Sequence, residues 1–174
     1  MEITDYRDSL EDNPRVRWDD FNAPRSLNKI KLIVVHHTGD HINDIDRINE
    51  IERTETRIYK YGCQRIPYHF WRQETAAGGM LAWCNHLSEI TWHARNANPV
   101  AIGCAFVGNY DTQEPDAQML QDLQELLDYL CGMLNLPHSC VYGHGELTEY
   151  GNSTSCPGSK LLVHVRNYRQ TGRV

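Results

Sequence analysis

Apolar positions recur along the chain with two different periods. Ile30, Leu32, Ile33, Val34 and Val35 form a short, largely β-branched run, the pattern of a strand buried on both faces of an α/β sheet. It ends at His36-His37-Thr38-Gly39. Ile45, Ile48 and Ile51 follow at helical intervals, with Asn43 or Asp44 placed to cap the first turn. Tyr68 to Arg72, preceded by Pro67, and Met80 to Trp83, across a turn expected at Gly78-Gly79, read as a hairpin. Ala101 to Val107 is a second buried strand candidate. Pro115 then opens the clearest helix, in which Met119, Leu120, Leu123, Leu126, Leu127, Leu130 and Leu134 share one face and Asn135 and Pro137 supply the stop. Leucine at that spacing signals core. The pair Val141-Tyr142 leads into Gly143-His144-Gly145-Glu146, and Ser159 to Tyr168 forms a last amphipathic helix. Residues 1–28 lack any such period. They read as an irregular arm packed over a single domain at residues 29–174, with Trp18 and Phe21 as anchors.

Composition sharpens this picture. A chain of 174 residues with 40 % apolar and 23 % charged residues is large enough for one core without staples. No window approaches the roughly 20 apolar residues of a membrane span, so a soluble protein with no membrane-spanning segment is expected. The net charge of -6 argues against a nucleic-acid partner, which requires a basic face. The opening residues MEITDYRDSLEDNP carry neither a basic start nor an apolar stretch, so they are no signal peptide as they stand. The expectation is a chain made in the cytoplasm, or one whose signal has been removed. Six cysteines are spread without the dense spacing of a disulfide scaffold. Most are read as reduced.

Candidate chemistry gathers where strands end, the place where α/β folds put their sites. The pair His36-His37 follows the first strand and His144 follows the short one. Cys156 lies twelve positions beyond His144, in the turn-forming run Ser153-Thr154-Ser155-Cys156-Pro157-Gly158. Two imidazoles and one thiolate make a reasonable zinc set. Three protein ligands leave a tetrahedral ion one position for water or substrate, as in catalytic zinc sites. Spacing alone leaves other readings open: Cys156 as an inert thiol or as a nucleophile paired with His144, Tyr68 as a packing residue, Trp83 and Trp92 as groove-lining or buried.

The ordered set Ile33-Val34-Val35-His36-His37-Thr38, Pro67-Tyr68-His69-Phe70, Trp92-His93-Ala94, Ala101-Ile102-Gly103, Gly143-His144-Gly145-Glu146 and Cys156-Pro157-Gly158 resembles the type 2 N-acetylmuramoyl-L-alanine amidases. That family includes phage lysozyme-like amidases and animal peptidoglycan recognition proteins. The resemblance runs from about Lys31 to Gly158 and implies a central mixed sheet flanked by helices. It also implies Zn2+ held by His36, His144 and Cys156, with Tyr68 beside the metal, oriented on the attacking water or the developing oxyanion. Thr154 falls where oxyanion support is expected, from a hydroxyl in place of the lysine of some phage members. His37 and His69 are read as structural, His93 as a substrate contact or proton carrier, and Glu146 as the partner that orients a ligand histidine. The link from His144 to Cys156 is longer than is usual in the family.

The activity implied is hydrolysis of the lactyl amide between muramic acid and L-alanine in peptidoglycan, by a monomer acting on the cell wall as an endolysin or in wall turnover. The alternative is a recognition module of the same fold that binds peptidoglycan without cutting it. A third reading, a structural zinc domain, needs a fourth ligand. His93 is the candidate for it.

Overall fold

The computed structural model describes residues 2–16, 24–54 and 62–174; the expected anchors Trp18 and Phe21 lie outside them. Strand β2 (Leu32–His37) runs between β5 (Ala101–Phe106) and β6 (Val141–Gly143), parallel to both. β5 is followed outward by β3 (Phe70–Thr75), also parallel, and β3 forms an antiparallel hairpin with β4 (Gly78–Trp83). Strand β1 (Ile3–Asp5) lies parallel on the outer side of β4. The order is β1-β4-β3-β5-β2-β6, a mixed sheet. Among the described residues three α-helices accompany it: α1 (Ile45–Thr54), α2 (Ala117–Leu134) and α3 (Ser159–Thr171).

Alternation along the strands builds two different layers. Ile33, Val35, Phe70, Ile102, Cys104 and Phe106 face one way and pack on Leu123, Leu126, Leu127 and Leu130 of α2 and on Leu161, Val165 and Tyr168 of α3. Burying each leucine contributes about 1.5–3 kcal/mol, so this layer carries much of the folding energy. Helix α2 starts where the side chain of Asp116 accepts from the N–H of Met119, and it ends with Asn135 in the left-handed region at φ 51°. The opposite layer is thinner. Trp71, Ala82 and Ala105 pack there on Ile45 and Ile48 of α1, whose first turn is capped by Asp44 accepting from Asp46 and Arg47. On that face β5 presents only Ala101, Gly103 and Ala105, which leaves room beside β2 for imidazole rings.

Three local expectations are corrected. The hairpin turns at Ala76-Ala77, and Gly78-Gly79 open β4; Gly78, at φ 114°, supplies a backbone conformation that L side chains rarely adopt. β3 begins at Phe70, so Tyr68 and His69 belong to the segment before it. The N-terminal stretch is also more ordered than an irregular arm, since Ile3–Asp5 joins the sheet edge. Three residues are too few to show a period. Further along, Leu10, Val16 and Arg25 are buried, and the Arg25 guanidinium donates to the carbonyls of Leu87 and Asn98. None of the six cysteines is in a disulfide, and no helix among the described residues is long and apolar enough to cross a membrane.

Candidate metal centre

The last two residues of β2 point to opposite faces. His37 turns toward the α2 and α3 layer, where its Nδ1 accepts from the N–H of Tyr110 and its ring stacks on that tyrosine. His36 turns toward the thin layer and is buried. There its ring centroid lies 4.5 Å from that of His144, the residue that follows β6, and its Nδ1 lies 3.7 Å from Sγ of Cys156. Strand pairing of Val35 with Gly143 sets the two histidines side by side. One donor atom from each of His36, His144 and Cys156 falls within 4.8 Å of the others. Ligands at zinc distances sit about 3.3–3.8 Å apart in a tetrahedron, so small adjustments bring all three onto one ion. Among the described residues this is the single such group of three or more.

The electrostatics suit a soft cation. Burial first, then the neighbouring His144, His93 and His37, holds the His36 ring well below the usual histidine range, and burial lowers His144 as well. Both are neutral at pH 7 and offer lone pairs. Burial pushes the Cys156 thiol up to about 12, against the pull of the His37 N–H, which donates to the sulfur at 3.4 Å. A thiol so raised is a poor nucleophile at neutral pH, whereas a bound cation deprotonates it outright. The sulfur lies against His36 and the His37 backbone, and a thiol pushed up this far does not suit a nucleophile paired with His144.

Around the donors, the Tyr68 ring lies 5.1 Å from that of His36 and 6.2 Å from that of Trp71. Thr154 is exposed and its Oγ1 accepts from the N–H of Cys156 at 3.2 Å, leaving its own hydrogen to donate. His93 does not face outward as a substrate contact would. It is 7 % exposed, its ring stands over Gly103, and its Nδ1 lies 2.9 Å from Nε2 of His36. Neither is it a fourth ligand, because the nitrogen turned to the cluster is taken up by His36. His69 is buried, accepts from Gly103 through Nδ1 and lies against the Glu89 carbonyl through Nε2. Trp83 stacks on Phe70 and donates to the Asn85 carbonyl, which is packing rather than groove lining.

Glu146 is corrected too. It accepts from the Gly143 N–H, Arg166 and Arg169, and among the described residues none of its hydrogen bonds goes to a histidine. The group beside His144 is Asn152, whose Oδ1 lies 2.9 Å from Nε2. Nothing local marks this residue, since asparagine after Gly151 reads as an ordinary turn.

The sequence matches the N-acetylmuramoyl-L-alanine amidase family over residues 26–159, a stretch that contains His36, Tyr68, His93, His144, Thr154 and Cys156. The chain belongs to this family. Among curated relatives, peptidoglycan-recognition protein SC1a of Drosophila melanogaster is 34 % identical over 147 residues, covering 81 % of this chain and 75 % of the relative. The N-acetylmuramoyl-L-alanine amidase LysC of Clostridium intestinale URNW shares the fold at TM-score 0.67 and 23 % identity, over 92 % of this chain and 91 % of that one. The ectodomain complex of peptidoglycan recognition proteins LCa and LCx, solved with tracheal cytotoxin bound, is similar at TM-score 0.72 and 17 % identity, over 100 % of this chain and 99 % of the matched one.

Proposed function

We propose that this family member is a zinc-dependent N-acetylmuramoyl-L-alanine amidase that hydrolyses the lactyl amide between muramic acid and L-alanine in peptidoglycan, acting on the cell wall as an endolysin or in wall turnover. The observation that carries the reading is the set of three zinc-type donors, the imidazoles of His36 and His144 and the sulfur of Cys156, with no fourth among the described residues. Zinc held there supplies Lewis acidity toward an amide carbonyl and lowers the pKa of water toward about 7. The chain's own groups do the rest. His36 and His144 would hold the metal through Nδ1, since Nε2 of each is engaged by a neighbour. Tyr68, beside His36, orients the attacking water or donates to the oxyanion, and the Thr154 hydroxyl is the second donor. Each such donor in a preorganised site contributes a few kcal/mol to the transition state, about 2.7–4 where one has been removed.

A second reading, a recognition module that binds peptidoglycan without cutting it, is favoured by the naming of the curated relatives. One experiment separates the two. Purified peptidoglycan is incubated with the wild type, Cys156→Ala and Tyr68→Phe, while new L-alanine amino termini and bound zinc are measured in parallel. The amidase reading expects about one zinc per wild-type chain, as one three-ligand site requires. It also expects termini that both substitutions suppress and zinc lost only with Cys156→Ala. Zinc and peptidoglycan binding without new termini would establish the recognition module instead.

A further inference from the structure

The two candidate ligand histidines are steadied by one connected set of hydrogen bonds, and its least expected member is Asn152. This side chain is 4 % exposed. Its Nδ2 donates to the carbonyls of Ala94 and Leu147, each at 3.2 Å, and its Oδ1 lies 2.9 Å from Nε2 of His144. The orientation of the amide follows from its partners. Two carbonyl oxygens only accept, so the NH2 group must face them and Oδ1 must face the ring. An amide oxygen also only accepts, so Nε2 of His144 carries the proton. The lone pair of the neutral ring is then on Nδ1, the nitrogen left to serve the group that His144 forms with His36 and Cys156.

The same bonds join the two histidines through one short segment. Ala94, whose carbonyl holds Asn152, directly follows His93, whose Nδ1 meets Nε2 of His36. Asn98 pins that segment by accepting from the N–H groups of both His93 and Ala94. Asn152 itself is delivered by the link between His144 and Cys156, through a turn at Thr148–Tyr150 and Gly151 at φ 78°.

We propose that Asn152 is a positioning residue of the metal site: it fixes His144 in the tautomer that presents Nδ1 to zinc, and it couples that ring to the segment that orients His36. This rests on the zinc-site reading above and not on hydrolysis. Outer partners of ligand histidines typically change metal affinity by about 10–100-fold when removed.

The test compares zinc dissociation constants, by chelator competition, for the wild type, Asn152→Leu and Asn152→Asp, with thermal melting of each metal-free protein. Leucine removes both the acceptor and the donor; aspartate keeps an acceptor for His144 while losing the NH2 group. Both variants are expected to melt lower without metal. Zinc affinity is expected to fall about 10–100-fold in Asn152→Leu alone, with Asn152→Asp within about 3-fold of the wild type. Equal weakening in both variants, or none in Asn152→Leu, overturns the assignment and leaves Asn152 as a brace of the loop. Nitrogen-15 NMR of the metal-free wild type gives a reading that needs no variant to fold: His144 is expected as the Nε2–H tautomer, and the Nδ1–H form overturns the proposal. A wild type that takes up no zinc overturns this proposal and the zinc amidase together. One that binds zinc but releases no amino termini overturns only the hydrolase.

Discussion

Replacing Gly103 with alanine tests whether the small-residue face of β5 exists to seat the histidine cluster. A Cβ at this position would stand 2.7 Å from Cγ of His93, 2.8 Å from Nδ1 and 3.0 Å from Cδ2. Ordinary contact begins near 3.4 Å, so the ring must retreat by about 0.7 Å. Such a movement disturbs the 2.9 Å contact between His93 Nδ1 and His36 Nε2, whose strength depends on distance and alignment. Gly103 cannot move the other way at little cost, because its N–H donates to His69 and its carbonyl accepts from the His69 N–H. Overpacking of this kind costs about 1–3 kcal/mol, offset by about 0.4–1 kcal/mol because alanine restricts the unfolded chain. The net expectation is a loss of about 1–2 kcal/mol in urea unfolding, together with about 10–100-fold weaker zinc binding through the disturbed partner of His36. An alanine variant that unfolds within about 0.5 kcal/mol of the wild type and binds zinc equally well would refute the reasoning.

Glu146 gives a dependence on pH. Burial raises its carboxyl, but hydrogen bonds from Arg169, Arg166 and the Gly143 N–H outweigh this and hold it at about 2. The folded protein therefore binds fewer protons than the unfolded chain, and stability should fall as pH drops from about 4.5 toward 2. After allowance for solvent screening the effect is about 1–2 kcal/mol, and acid titration of Glu146→Gln should lack that part of the slope. Stripping zinc should leave far-ultraviolet circular dichroism unchanged, because the α2 and α3 core is separate from the site. Melting should drop by about 5–10 °C relative to protein with free zinc at about 100 times its dissociation constant; loss of secondary structure on chelation would contradict this. Asp116→Ala removes the cap of α2 and should cost about 0.5–2 kcal/mol in urea unfolding with zinc affinity unchanged.

The strongest local signals in the sequence identify the frame and the donors. The apolar run before His36 specifies a buried strand, the leucine stripe from Met119 to Leu134 specifies the helix that covers it, and the turn residues around Cys156 allow its sulfur to face back toward the strand ends. These patterns are local, with periods of two or 3.6 residues, and they survive being read one segment at a time. The environment of the site is not local. His93 meets His36 across 57 positions, and Asn152 meets Ala94 across 58; neither contact leaves any period in the chain. Glu146 lies two residues from His144 yet bonds arginines of α3, because packing of that helix against β6 brings two guanidinium groups to it. The sequence, through its resemblance to the family, thus nominated the side chains that could bind a metal and the strand ends near which they lie. Tertiary structure decided which nitrogen of each ring faces the cluster, because that depends on hydrogen-bond partners that only folding brings within reach.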